Sequence, residues 1–155
     1  MVAMADWLDE VKSRLGEAVL DEVEFRGENT LVLDRGSLPH SLEVLKEEFG
    51  FNSLVDLCGL DTGEDQDPRF YVVYHLRNLD TKAQLRVKVG LNEGEKVPSA
   101  CEVWAGANWM EREAYDMFGI EFEGHPDLTR LYLADDFPGH PLRKDYPTEG
   151  YDFEE

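Results

Sequence analysis

Residues 70–91 read Phe70-Tyr-Val-Val-Tyr-His-Leu-Arg-Asn-Leu-Asp-Thr-Lys-Ala-Gln-Leu-Arg-Val-Lys-Val-Gly-Leu91. Phe70, Val72, Tyr74 and Leu76 fall on one side of an extended chain. Leu85, Val87, Val89 and Leu91 do the same further on, opposite Arg86 and Lys88. Apolar residues at every second position in both halves predict two antiparallel strands covered on one face.

Working toward the N-terminus, Leu54–Leu60 is a short apolar run that reads as an interior strand. Between it and Phe70 lies Asp61-Thr-Gly-Glu-Asp-Gln-Asp-Pro68, with four acids in eight residues. It lacks the ligand spacing and closing Glu of a calcium loop, so a solvated loop is the better reading. Leu38, Leu42, Leu45 and Phe49 repeat at helical spacing, with Pro39 in the first turn and Gly50 at the end. Val19–Phe25 and Thr30–Leu33 read as a hairpin turning at Gly27-Glu28-Asn29. Asp6 can cap a helix that carries Trp7, Leu8, Val11 and Leu15 on one side and stops at Gly16. On the other flank, Ser99 and Glu102 form a capping box after Pro98. Val103, Ala107, Met110, Ala114 and Met117 then make a stripe that ends at Gly119. The order α-β-β-α-β-β-β-α predicts a two-layer α+β domain over residues 1–119, with helices packed on a mixed β-sheet.

From Ile120 no period persists, and Pro126, Pro138, Pro141 and Pro147 recur. Residues 120–155 nevertheless keep Phe122, Leu128, Leu131, Tyr132, Leu133, Phe137, Leu142, Tyr146, Tyr151 and Phe153. A disordered tail rarely holds so many large apolar groups. An extended C-terminal arm packed on its own domain or on a partner accounts for them.

The chain has 155 residues, and 15 Lys+Arg against 34 Asp+Glu give a net charge of −19. Such a surface repels phosphate backbones and anionic headgroups, which argues against nucleic acid and direct lipid binding. No run reaches the ~20 apolar residues of a membrane span. The start has neither a secretory leader nor an Arg-rich transit peptide, which predicts a cytoplasmic chain. The two cysteines, Cys58 and Cys101, form no C-x-x-C pair, so thiolates cannot assemble a zinc or iron–sulfur site. Both are expected to be buried and inert.

Polar groups are densest at Glu111-Arg112-Glu113 and Asp116. Arg112 and Asp116 stand four apart, where they can pair. Glu111 and Glu113 diverge by about 200° on a helix, which argues against an acid–base pair and for a charge network that holds the helix to a neighbour. His125, Asp127 and His140, with Asp135 and Asp136, offer metal-ligand types without a metal-site spacing. A stand-alone metal-dependent hydrolase built on His125, Asp127 and His140 is the alternative from a different functional class. Arg143 and Lys144 form a basic pair in an acidic arm, suited to acidic groups on a partner. No glycine-rich nucleotide loop or nucleophile elbow occurs.

Ala107-Asn-Trp-Met-Glu-Arg-Glu-Ala-Tyr-Asp-Met-Phe-Gly119, Gly124-His-Pro-Asp-Leu128 and Pro141-Leu-Arg-Lys-Asp-Tyr-Pro147 together resemble the 30-kDa subunit family of respiratory complex I, the NADH–quinone oxidoreductase of bacteria. One departure is visible. The family usually places a basic residue directly after His-Pro-Asp-Leu, where this chain has Thr129 followed by Arg130. The resemblance implies a non-catalytic scaffold in the peripheral arm of a proton-translocating complex, on the cytoplasmic side of the bacterial inner membrane. Its partner would be the 49-kDa protein of that arm, with other peripheral-arm proteins nearby. NADH, FMN, iron–sulfur clusters and quinone would belong to the complex, with no cofactor, metal or catalytic residue on this chain. A related membrane-bound hydrogenase-type complex is the alternative within the family. Glu111, Arg112, Glu113, Asp116, His125, Pro126, Asp127, Leu142, Arg143, Lys144 and Asp145 are the expected interface residues.

Overall fold

The computed structural model describes residues 3–134 and 136–147. In chain order the elements are α1 (Ala3–Leu15), β1 (Val19–Phe25), β2 (Glu28–Leu33), α2 (Leu38–Glu47), β3 (Ser53–Asp61), β4 (Phe70–Arg77), β5 (Gln84–Leu91), β6 (Lys96–Pro98), α3 (Ala107–Phe118) and β7 (Glu121–Glu123). Five strands form one sheet in the order β1-β2-β5-β4-β3. The β2–β5 pair is parallel and the other three are antiparallel, so the sheet is mixed and the fold is α+β.

The alternation in β4 and β5 sets the register. Phe70 pairs with Leu91, Val72 with Val89, Tyr74 with Val87 and Leu76 with Leu85. These side chains, with Leu31 and Leu33 of β2, are buried in one core with Leu8 and Val11 of α1 and Leu38, Leu42 and Leu45 of α2. The β1–β2 hairpin closes through Arg26 and Gly27, at φ 54° and 80°. Positive φ at both central residues is what a two-residue turn between right-twisted strands requires. The turn therefore begins one residue earlier than the sequence suggests, and Glu28 and Asn29 belong to β2.

Four other expectations change. Helix α1 begins at Ala3, which places Asp6 inside it and not at its cap. The run ending at Leu60 is an edge strand, with Val55 and Leu60 exposed. Helix α3 starts at Ala107, not at Ser99. A capping box would return the Glu102 side chain to the Ser99 N–H, but that N–H donates to the Glu123 carbonyl at 2.8 Å. This bond extends the short parallel β6–β7 pair, which no periodicity in the sequence marks. Finally, Cys58 is exposed and Cys101 half-buried. Cys58 lies on the outer face of β3, away from the core. At the far end of α3, Gly119 takes the left-handed conformation at φ 78° and stops the helix where the sequence predicts.

Candidate docking site

Helix α3 is the spine along which the described residues from His125 to Leu142 are laid. Its first acidic residue, Glu111, is fully buried. Ser99 Oγ donates to Oε1 at 2.6 Å and the Ala100 N–H to Oε2 at 2.7 Å. The Cys101 thiol also approaches Oε1, at 3.4 Å. Burial raises the Glu111 pKa above the ordinary carboxylate value, and these three donors and His125 only partly oppose it. Burial likewise pushes the Cys101 thiol up to about 11. His125 is fixed at both ring nitrogens. Nδ1 accepts the Asp127 N–H at 2.9 Å and Nε2 donates to the Asn108 carbonyl at 3.1 Å. Pro126 and Asp127 are exposed at this corner.

One turn further on, Arg112 and Asp116 do not pair with each other. Arg112 lies over the Trp109 ring, 5.0 Å from its centroid. It donates to the Thr129 and Arg130 carbonyls, each at 3.1 Å. Asp116 is fully buried, and its Oδ2 accepts the successive N–H groups of Leu131, Tyr132 and Leu133 at 3.3, 2.9 and 3.2 Å. Its Oδ1 faces Arg130 Nε at 3.4 Å. Arg130 also donates to the Phe137 and Gly139 carbonyls. The cation that meets the helix thus comes from position 130, while Thr129 contributes its carbonyl. His140 Nδ1 lies 3.0 Å from the Asp116 carbonyl and 3.1 Å from Arg130 Nη2, and the Leu142 N–H donates to the Met117 carbonyl at 2.9 Å. Glu113 points outward and is exposed.

A second network binds Leu142–Asp145 to the sheet. Arg143 Nη1 donates to Glu93 at 2.9 Å and Nε to Asp145 at 3.0 Å. Arg69 grips Asp61 in a two-point pair, both bonds at 3.0 Å, and reaches Asp145 at 3.2 Å. Both guanidinium groups cover Phe70, at 4.8 and 5.2 Å from its centroid. The Lys144 N–H donates to Asp61 Oδ2 at 2.8 Å, and its Nζ reaches the Thr62 carbonyl at 3.5 Å. Burial alone would raise the Asp61 pKa. Arg69 and the N–H groups of Lys144 and Gly63 outweigh it and bring the carboxyl down to about 2. The Arg143 side chain is 15% exposed, so it is occupied within the chain and not presented as a free basic group.

Asp61, Arg69 and Glu93 are the members of this network that sequence reasoning missed. Asp61 had a detectable signal. It falls in phase with Gly59 and with Leu57, which is buried, on the inner side of β3. Alternation therefore separates it from the solvated acids that follow. Glu93, in the turn after β5, offers no comparable pattern.

Chemically, the three motifs hold backbone and each other. Glu111 and Glu113 do not face one another, one being buried and the other exposed. His125, Asp127 and His140 do not gather into one ligand cluster among the described residues. Cys101, Glu111 and His125 do lie within 4.8 Å of one another, but Glu111 and His125 are already committed to protein hydrogen bonds. Three large apolar side chains on α3 or on the segment laid along it remain outward: Trp109, Tyr132 and Leu142. Tyr151 and Phe153 lie outside the described residues.

Residues 31–152 match the family described as respiratory-chain NADH dehydrogenase, 30 Kd subunit. A protein of Citrifermentans bemidjiense, named as a subunit of NADH-quinone oxidoreductase, is 46% identical over 145 residues, covering 93% of this chain and 89% of the relative. A protein of the same name from Laribacter hongkongensis is 42% identical over 159 residues, covering 96% and 82%. Among solved structures, a chain of the membrane-bound sulfane sulfur reductase, an archaeal respiratory membrane complex, superposes with a TM-score of 0.79 at 19% identity. The match covers 95% of this chain and 87% of that one. That likeness concerns the fold.

Proposed function

The chain belongs to the respiratory-chain NADH dehydrogenase 30 Kd subunit family, and we propose that it is a non-catalytic scaffold in the peripheral arm of a proton-translocating NADH–quinone oxidoreductase. The observation that carries this reading is the use made of the motif side chains. Glu111, Arg112, Asp116 and Arg143 each bind this chain's own backbone or its own charges. None of them converges with another on an open site where a substrate atom would sit. The described part of the arm between His125 and Leu142 is therefore tied along α3, with Trp109, Tyr132 and Leu142 displayed outward. Exposed aromatic and aliphatic groups on a rigid base are suited to anchor a protein interface.

In this reading residues 120–155 form a partner-docking arm against the 49-kDa protein of the complex, and the motif residues support it from beneath. NADH, FMN, iron–sulfur clusters and quinone are bound by other members of the assembly. The complex is attached peripherally on the cytoplasmic side of the bacterial inner membrane. Among the described residues no helix is long and apolar enough to cross a membrane. Tunnelling and quinone reduction depend on fixed distances, so a scaffold governs turnover without donating a catalytic group.

The test is a tagged pull-down from gently solubilised membranes with a NADH–quinone reductase assay, repeated with Arg112→Ala. Recovery of a large active assembly from the parent chain is expected. The variant should lose assembled complex, because Arg112 is tied to the Thr129 and Arg130 carbonyls. Normal assembly combined with lost chemistry would overturn the scaffold assignment.

A further inference from the structure

The outer face of β3 and β4 brings together three side chains of metal-ligand type that the docking network does not use. Asp56 stands directly across from His75 in the β3–β4 register, and Cys58 lies two residues along β3, opposite Val73. Alternate residues of a strand share a face, so all three project to the same side. One ligand atom from each, a carboxylate oxygen, the Sγ and a ring nitrogen, lie within 4.8 Å of one another. None of these side chains makes a hydrogen bond or ion pair with another described residue. This separates them from Cys101, Glu111 and His125.

We propose that Asp56, Cys58 and His75 form a binding site for a divalent cation of borderline softness, of which zinc is the type. A thiolate, an imidazole and a carboxylate are the donor set that Zn²⁺ favours. Bond lengths of about 2.0–2.3 Å would place tetrahedral ligand atoms about 3.3–3.6 Å apart. Side-chain rotation on a fixed strand pair supplies the closure from the present spacing. The fourth position opens to solvent and would take water. Burial first, then the charges of Asp56 and Glu113, raise the Cys58 thiol above its ordinary value, so the metal must displace a firmly held proton. The same two acids make the surroundings negative and attract a cation. The opposing cation, Arg86, is held by Glu28 at 2.9 Å. Binding replaces the thiol proton with the metal and releases that proton to solvent. The ion would bridge the edge strand β3 to its neighbour β4.

The experiment uses the full-length, reduced chain after chelator treatment, titrated with Co²⁺ and then with Zn²⁺. The parent should take up one equivalent of Co²⁺ and show a thiolate-to-cobalt charge-transfer band in the near ultraviolet, which Zn²⁺ abolishes by displacement. Cys58→Ser should remove the band, and His75→Ala should weaken Co²⁺ binding at least tenfold. Cys101→Ser should leave both unchanged, and circular dichroism of each variant checks the fold. The absence of a band in the parent overturns the site. A band that survives Cys58→Ser and disappears in Cys101→Ser overturns it too, by placing the metal at the other cysteine.

Discussion

Asp116 has no contact with water, and its Oδ2 takes three consecutive N–H groups from residues 131–133 while Oδ1 faces Arg130. An amide there would turn a donor toward donors and leave Arg130 without its anion. Asp116→Asn is expected to cost about 3 kcal/mol in urea unfolding and to speed amide hydrogen exchange at residues 131–133. Unchanged exchange there would show that the carboxylate does not hold the arm. Asp61 governs the acid limb of stability. Its folded pKa of about 2 lies below the ordinary 3.8, so its contribution is fully present above 3.8 and is lost as pH falls through that value toward 2. The amount is about 2 kcal/mol. Glu93 and Asp145, both held low chiefly by Arg143, act in the same direction. Denaturant midpoints should fall over that interval in the parent and much less in Asp61→Asn. At this scale the sequence was half legible. It located the charged cluster on α3, but it matched Arg112 with Asp116 because four-residue spacing allows the pair. The folded chain gives each a partner in the arm, since the backbone of an extended segment needs donors and acceptors that its own residues cannot supply.

At the scale of elements, α3 and β3 approach closely because Gly59 has no side chain. A Cβ there would stand 2.6 Å from Phe118 Cδ2 and 3.1 Å from Ile120 Cδ1. Gly59→Ala is therefore expected to destabilise by about 1–3 kcal/mol through overpacking, measured by chemical denaturation. An unchanged midpoint would mean that α3 can slide on the sheet without cost. The strands from Phe70 to Leu91 were legible almost to the residue, because alternation over two long segments has one explanation. The start of α3 was not. Ser99 and Glu102 match a capping pattern, but the hydroxyl of Ser99 goes to Glu111 and its N–H to Glu123. Contacts from more than ten residues away outrank a local cap.

For the whole molecule, the consequence is an exposed apolar strip of Trp109, Tyr132 and Leu142 on a defined support, which is the strip proposed to dock. Leu142 is 57% exposed and its N–H anchors to Met117, so replacing the side chain should leave the fold intact. Leu142→Asp is expected to keep the parent's unfolding midpoint within about 0.5 kcal/mol and to weaken assembly at least tenfold if this strip carries the interface. Full assembly of that variant would move the interface elsewhere. Reading along the chain was enough for the α+β class, the hairpin, the helix ending at Gly119 and the three motifs that mark the family. These are local matters, since a period of two or of 3.6 reports which side of an element is buried and a motif is read residue after residue. Folding alone settled that β3 is an edge, that β6 and β7 pair, and that Arg69, Asp61 and Glu93 receive the arm. Strand order and the partners of buried charges depend on segments far apart in sequence, and no periodicity within one segment records its neighbour.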